Sequence, residues 1–264
     1  MKRALLALFT LISISTSAIN DIACASISVD QTNWDSTRIK LNITVDFQSQ
    51  SPPDTVYVER WRDNSTGNYV FYDSVPVFKD SLSIQNGLAT VDYVSDYYHL
   101  NTINSMNPLW PTTINWRFIF RGQLPTLANV TTSSAGPWPS FVSVDYKYVQ
   151  NNSSPRIERP FAMDVHRDTL YTERNICNGA GSFIYDVDND SLFIEHVDLS
   201  GVLPNWQSPS NITVNRDSLA FISPSVGRMA NEFKFYEYRN DTLIGSMNFQ
   251  WTFNVYQTSG IGLD

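Results

Sequence analysis

Apolar and polar residues alternate one by one over several stretches of the chain. Ile39, Leu41, Ile43, Val45 and Phe47 are interleaved with Lys40, Asn42, Thr44 and Asp46, the signature of a strand with one buried face. Val142, Val144, Tyr146 and Tyr148 alternate with Ser143, Asp145 and Lys147, and Phe249, Trp251, Phe253 and Val255 with Gln250, Thr252 and Asn254. Further strands are predicted at Thr55 to Trp61, Tyr69 to Tyr72, Leu88 to Tyr93, Ile114 to Phe120, Ser191 to Val197 and Phe233 to Tyr238, each bounded by Gly, Pro, Asn or Asp. The single stretch with a helical rhythm, a weak one, is Ser95 to Ile103. Many short strands separated by turn residues predict antiparallel sandwiches.

The polar run Gln150-Asn151-Asn152-Ser153-Ser154-Pro155 interrupts this pattern and reads as a link between domains. The expectation is therefore an all-β protein of two antiparallel, immunoglobulin-like or cadherin-like β-sandwich domains, 19–150 and 151–264. Ser133 to Pro139 is also rich in breakers and reads as a loop within the first domain.

A different segment comes first. Met1-Lys2-Arg3 is a short basic start and Ala4 to Ile14 an unbroken apolar run, which together match a secretory signal peptide and are too short to span a bilayer. Cleavage is expected after Ala18, giving a signal peptide 1–18; the Ala23-Cys24-Ala25 sequence offers an alternative cut after Ala25. The protein is thus expected to be secreted or held at the cell surface. No later apolar run approaches the roughly 18 residues of a membrane helix. Two cysteines, Cys24 and Cys177, allow one disulfide or two free thiols, so the fold cannot depend on a cysteine framework.

Composition narrows the function. The net charge of −8 becomes −10 once Lys2 and Arg3 are removed, and no cluster of Lys and Arg stands out; nucleic acid, whose affinity comes from such clusters, is excluded. Aromatic residues make up 13% and charged residues only 17% of the chain, which indicates a packed core rather than disorder. Trp110 and Trp138 lie among prolines and are candidates for sugar platforms or for core plugs. His99, His166 and His196 are too scattered for a three-histidine zinc site, and no nucleophile elbow or Gly-rich phosphate loop occurs. The chain is not expected to be an enzyme.

The most specific chemistry is in Asp186-Val187-Asp188-Asn189-Asp190. Three carboxylates on alternate positions of a turn can converge on a hard cation such as Ca²⁺, which takes six to eight oxygens; the glycine and glutamate of an EF-hand are not at their offsets. Asp186, Asp188 and Asp190 are therefore the candidate metal ligands and calcium the candidate cofactor. The alternative is an acidic turn whose side chains hydrogen-bond their own backbone.

The order Asn152-Ser153-Ser154-Pro155, Cys177-Asn178-Gly179, Asp186 to Leu192, then Glu237-Tyr238-Arg239-Asn240-Asp241 through Gly245 resembles a module of secreted gliding-motility-associated proteins of the Bacteroidota. The resemblance implies a cadherin-like sandwich over the second half. It also implies a surface structural or adhesive role, with a surface protein or a glycan as partner. A carbohydrate-binding or glycan-degrading secreted protein is the alternative, on the grounds of acidity, aromatic content and secretion.

Overall fold

The computed structural model describes residues 22–33, 36–46, 51–63, 68–85, 88–98, 115–124, 138–147, 152–157, 163–166, 170–174, 184–199, 206, 208, 210–215, 218–222 and 226–257. Among these every regular element is a strand. The first seven are β1 (Ile22–Asn33), β2 (Ser36–Asp46), β3 (Thr55–Asp63), β4 (Tyr69–Gln85), β5 (Leu88–Tyr98), β6 (Asn115–Leu124) and β7 (Trp138–Lys147). Short strands follow: β8 (Arg156–Ile157), β9 (Met163–His166), β10 (Leu170–Arg174), β11 (Ile184–Tyr185), β12 (Ser191–Val197), β13 (Ser210–Asn215) and β14 (Ser218–Ile222). A long hairpin, β15 (Gly227–Arg239) and β16 (Thr242–Tyr256), ends the series.

The expected pair of immunoglobulin-like or cadherin-like sandwiches is not what forms. Hydrogen bonding runs β1-β2-β5-β4-β3-β6-β7-β16, and β16 pairs back onto β1 through Cys24↔Trp251 and Ala25↔Gln250. The result is a closed antiparallel barrel of eight strands, seven from the first half of the chain and one from its far end. Alternation reports that one face of each strand is buried. A sheet that curls onto itself produces the same pattern as two sheets stacked face to face, and closure also removes both edges. The chain's choice depends on the pairing of β1 with β16, a contact remote in sequence.

The interior is apolar. Ile27, Val29, Ile39, Leu41, Ile43, Val58, Val77, Val91, Val142, Val144 and Met247 have no exposed surface, and Phe118, Phe120 and Phe249 are nearly as closed. The outward side of β2 and β5 is polar: Arg38 grips Asp96 through two bonds of 2.7 and 3.0 Å, Asn42 donates to Asp92, and Thr44 faces Thr90; β3 and β4 also expose Tyr57, Val70, Phe71, Phe78, Leu82 and Ile84. No helix among the described residues is long and apolar enough to cross a membrane.

Beyond the barrel the sheet continues from β16 to β15 and β12, with β9 lying parallel to the end of β16. A three-stranded sheet β10-β14-β13 and a two-stranded pair β11-β8 complete the described elements. The two-residue turn of the β15–β16 hairpin places Asn240 and Asp241 at φ of 51° and 60°, the conformation that matches the twist of a hairpin and that Asn and Asp tolerate best among non-glycine residues. Ser95 to Tyr98, the start of the weak helical stretch, belongs to β5, and the rest of that stretch lies outside the described residues.

The polar run expected to link two domains is partly buried. Asn152 has no exposed surface and Ser154 only 1%. Ser153 bridges Asp30 of β1, the Asn152 carbonyl accepts the Gln31 amide at 3.2 Å, and the Tyr146 hydroxyl donates to that carbonyl at 2.7 Å. Polarity here serves hydrogen bonding against β1 rather than solvation, which composition alone cannot distinguish.

Candidate metal centre

The acidic turn sits between β11 and β12, where Asp186 and Asp190 are buried and Val187 is exposed. Asn189 adopts φ of 63°, a left-handed conformation in which asparagine is the usual substitute for glycine. That kink folds the segment back so that one carboxylate oxygen from each of Asp186, Asp188 and Asp190 lies within 4.8 Å of the others. The three residues singled out in the sequence are therefore brought together, and such a group could hold a metal ion.

Each carboxylate has a distinct environment. Asp186 Oδ1 accepts the amides of Asp188 at 2.8 Å and Asp190 at 2.9 Å, while its Oδ2 is buried without a partner. Asp188 Oδ2 accepts the Ser153 amide at 2.6 Å, which ties the turn to the segment against β1. Asp190 is gripped by Arg239 from the end of β15, with Nε 2.8 Å from Oδ1 and Nη2 2.6 Å from Oδ2. Nη2 of Arg239 also reaches Asn152 Oδ1 at 3.3 Å and Asp188 Oδ2 at 3.5 Å. Asp186 thus accepts hydrogen bonds from the backbone of its own turn, while Asp190 and Asp188 Oδ2 face the Arg239 guanidinium.

Three participants were not legible as site residues. Arg239, Ser153 and Glu237 come from segments far from the turn, and only the fold assembles them. Glu237 has no exposed surface, and neither of its carboxylate oxygens has a hydrogen-bond donor. Burial first, and then the neighbouring Asp186 charge, push its pKa up to about 10. Burial likewise raises Asp186 to about 6, partly offset by the Asp190 amide. The alternation of Glu237-Tyr238-Arg239 places acid and base on one face of β15, a signal that becomes readable once the face is known.

The other candidates are dispersed. His196 packs against Trp206, stacked at 5.9 Å, and edge-on to Phe233, with its pKa lowered by burial; Glu195 points the other way and accepts the Tyr236 hydroxyl at 2.6 Å. His99, Trp110 and Cys177 lie outside the described residues, and of His166 and Trp138 only the backbone is described. Cys24 is a free, fully buried thiol in the barrel wall.

The outer face carries a second feature. Register aligns Phe71, Trp61, Arg117, Asp145, Ser246 and Tyr236 in one row across β4, β3, β6, β7, β16 and β15. Phe71 is half exposed and packs edge-on against Trp61 at 5.5 Å, and Arg117 lies 4.1 Å over the Tyr69 ring while holding Asp145 at 2.5 Å. Beside the row a groove of about 250 Å³ is lined by Tyr69, Asp145, Lys147, Lys234, Tyr236 and Ser246 among others.

No protein-family model and no curated protein matches the chain. Among solved structures a chimeric titin Z1Z2 functionalized with an exogenous KLER peptide from decorin aligns over 89% of this chain and 97% of its own, at 10% identity and a TM-score of 0.19.

Proposed function

We propose that the protein is a secreted or surface-held structural and adhesion protein in which a calcium ion at Asp186, Asp188 and Asp190 fastens the outer hairpin to the barrel. One observation carries this reading. The acidic turn faces other parts of the same chain, reaching Ser153 and Arg239, so its chemistry joins segments instead of opening onto a cleft where a substrate could enter. The signal-like start, the acidic charge and the motif order shared with secreted gliding-motility-associated modules agree with an extracellular setting, where millimolar calcium is the common ion.

A cation that binds only the folded arrangement stabilises it by about 2.7 kcal/mol at a hundredfold excess over its dissociation constant. Extracellular sites bind at about 0.1 to 1 mM. Melting in several millimolar calcium should therefore lie above melting in chelator, and Asp188→Asn should abolish most of that difference. Identical curves in the two buffers would leave the acidic segment a turn held by Arg239, the Ser153 amide and its own backbone.

A glycan is the second reading, favoured by the row of Phe71, Trp61 and Arg117 beside a polar groove. Half-exposed aromatic rings next to planar hydrogen-bonding groups suit the alternating apolar and hydroxylated faces of a sugar chain. Binding on a glycan array that disappears in Trp61→Ala, with melting unchanged, would support it; an array without signal would remove it.

A further inference from the structure

The chain carries 26 acidic side chains against 18 Lys and Arg, so an acid should be at hand for every base. On the barrel this largely holds: Arg38, Lys40, Arg60, Lys79, Arg117 and Arg121 each pair with a carboxylate. Lys147 at the end of β7 and Lys234 on β15 depart from it. Neither ammonium has a carboxylate within ion-pair distance among the described residues, and both line the groove of about 250 Å³ beside the outer row. The acids placed near them are engaged elsewhere. Glu195 lies directly across from Lys234 in the β12–β15 register, yet its Oε2 accepts the Tyr236 hydroxyl at 2.6 Å. Glu232, two residues before Lys234, is buried and accepts the Asn248 side-chain amide at 2.7 Å. Asp145, which also lines the groove, is bound by Arg117 through two bonds of 2.5 and 2.8 Å and accepts the Ser246 hydroxyl at 3.4 Å. With Asp145 matched by Arg117, the lining is left with two positive charges.

Register fixes where those charges stand. β7 and β15 both run antiparallel to β16, and Asp145 and Tyr236 share a row through Ser246. Lys147 is two residues past that row on β7, and Lys234 two residues short of it on β15. The lysines therefore occupy diagonal corners of the groove, roughly 16 Å apart at their Cα atoms. That spacing suits two negative groups on one extended chain better than a single small anion. The same lining contains Tyr69, Tyr236 and the half-exposed Leu243, with the Arg117 guanidinium 4.1 Å from the Tyr69 ring and the Lys234 ammonium 4.9 Å from that of Tyr236. Rings and an aliphatic side chain set among hydrogen-bonding groups match the mixed apolar and hydroxylated faces of sugars. Single-stranded nucleic acid would bring a negative charge at every nucleotide, and two isolated cations do not supply the counterion release that such binding depends on.

We propose that this groove binds an anionic glycan, an extended sugar chain bearing carboxylate or sulfate groups, with negative groups set against Lys147 and Lys234. The proposal rests on the glycan reading above and adds to it the charge of the sugar and the residues that select it. Because the protein as a whole is acidic, the attraction is confined to the groove and falls with salt.

The test is titration of the purified full chain with octasaccharides of a polyuronate, of sulfated dextran and of neutral dextran, in chelator so that calcium does not bridge protein and sugar. At about 20 mM salt at least one acidic chain should bind and neutral dextran should not, and binding should weaken severalfold at about 200 mM. Lys147→Gln and Lys234→Gln should each weaken binding about fivefold, while Arg38→Gln, on β2 away from the groove, should bind as wild type does. Unchanged affinity in both lysine variants, or equal binding of neutral dextran, would overturn the role of charge; loss of that binding in Trp61→Ala would still uphold the glycan reading. Silence from the acidic chains with signal elsewhere on a glycan array would overturn this proposal alone, and an array without signal would overturn both. Binding of a single-stranded oligonucleotide with the same lysine dependence would mark a general polyanion site and overturn the assignment to sugar. Near-ultraviolet circular dichroism checks folding. The salt dependence tests charge without any substitution, and Lys147→Arg and Lys234→Arg, which keep the charge, should retain binding.

Discussion

Ser154 and Val29 bond to each other twice. The Ser154 amide donates to the Val29 carbonyl at 2.7 Å, and the Val29 amide donates to Ser154 Oγ at 2.7 Å. Both residues are buried, so the segment after β7 is part of the β1 edge. Ser154→Ala strips the acceptor from a buried amide, and a loss of about 1–3 kcal/mol in urea unfolding is expected. Peptide bonds between Asn152 and Pro155 should also resist limited proteolysis of the native protein. Early cleavage there, or a silent Ser154→Ala, would show that the contact is not maintained in solution.

Arg60 is 1% exposed, yet its guanidinium pairs with Asp73 and lies 5.3 Å from the Tyr72 ring and 5.5 Å from that of Trp116. Asp73→Asn leaves this buried cation without its anion and should cost about 1–3 kcal/mol, less than a fully interior pair because Asp73 reaches solvent. Asp96→Asn breaks the exposed Arg38 pair and should cost less than about 1 kcal/mol. Thermal unfolding of the two variants side by side measures the contrast; equal losses would contradict it.

Burial raises the Glu232 carboxyl to about 7, opposed by the amide of Asn248 and the Lys234 charge. In the unfolded chain a glutamate titrates near 4.3. Between those values the native state binds the proton that the unfolded state releases, so stability falls as pH rises from about 4.5 to about 7. Glu232→Gln retains an oxygen for Asn248 and removes the titration. It should match wild type near pH 4.5 and exceed it at pH 8 by about 1–3 kcal/mol. Parallel melting profiles across that range would refute the assignment.

Ile22, Cys24 and Ala25 are buried in β1, and Cys24 and Ala25 make the two contacts with β16 that close the barrel. Cleavage after Ala25 would remove all of them, whereas cleavage after Ala18 leaves β1 whole. Amino-terminal sequencing of the exported protein should therefore begin at Ile19. A start at Ser26 would mean that the barrel closes without these pairs.

Strand positions could be read from the sequence because period two is local. Ile39, Leu41, Ile43, Val142, Val144 and Phe249 are buried where the alternation places them. The convergence of Asp186, Asp188 and Asp190 was equally legible, since a turn acts over a few residues. The limits were also physical. Gln250 and Thr252 lie on the polar side of β16 and are buried nonetheless, at 2% exposure each, because β16 is covered on both faces where barrel and outer sheet meet. Neither the closure of β16 on β1 nor the meeting of Glu237, Arg239 and Ser153 with the acidic turn leaves a local signature. Hydrophobic burial is indifferent to which sheet covers a face, so pattern alone determined the strands and the turn. The pairing of distant edges, settled by the whole chain's packing, decided the barrel and the company its carboxylates keep.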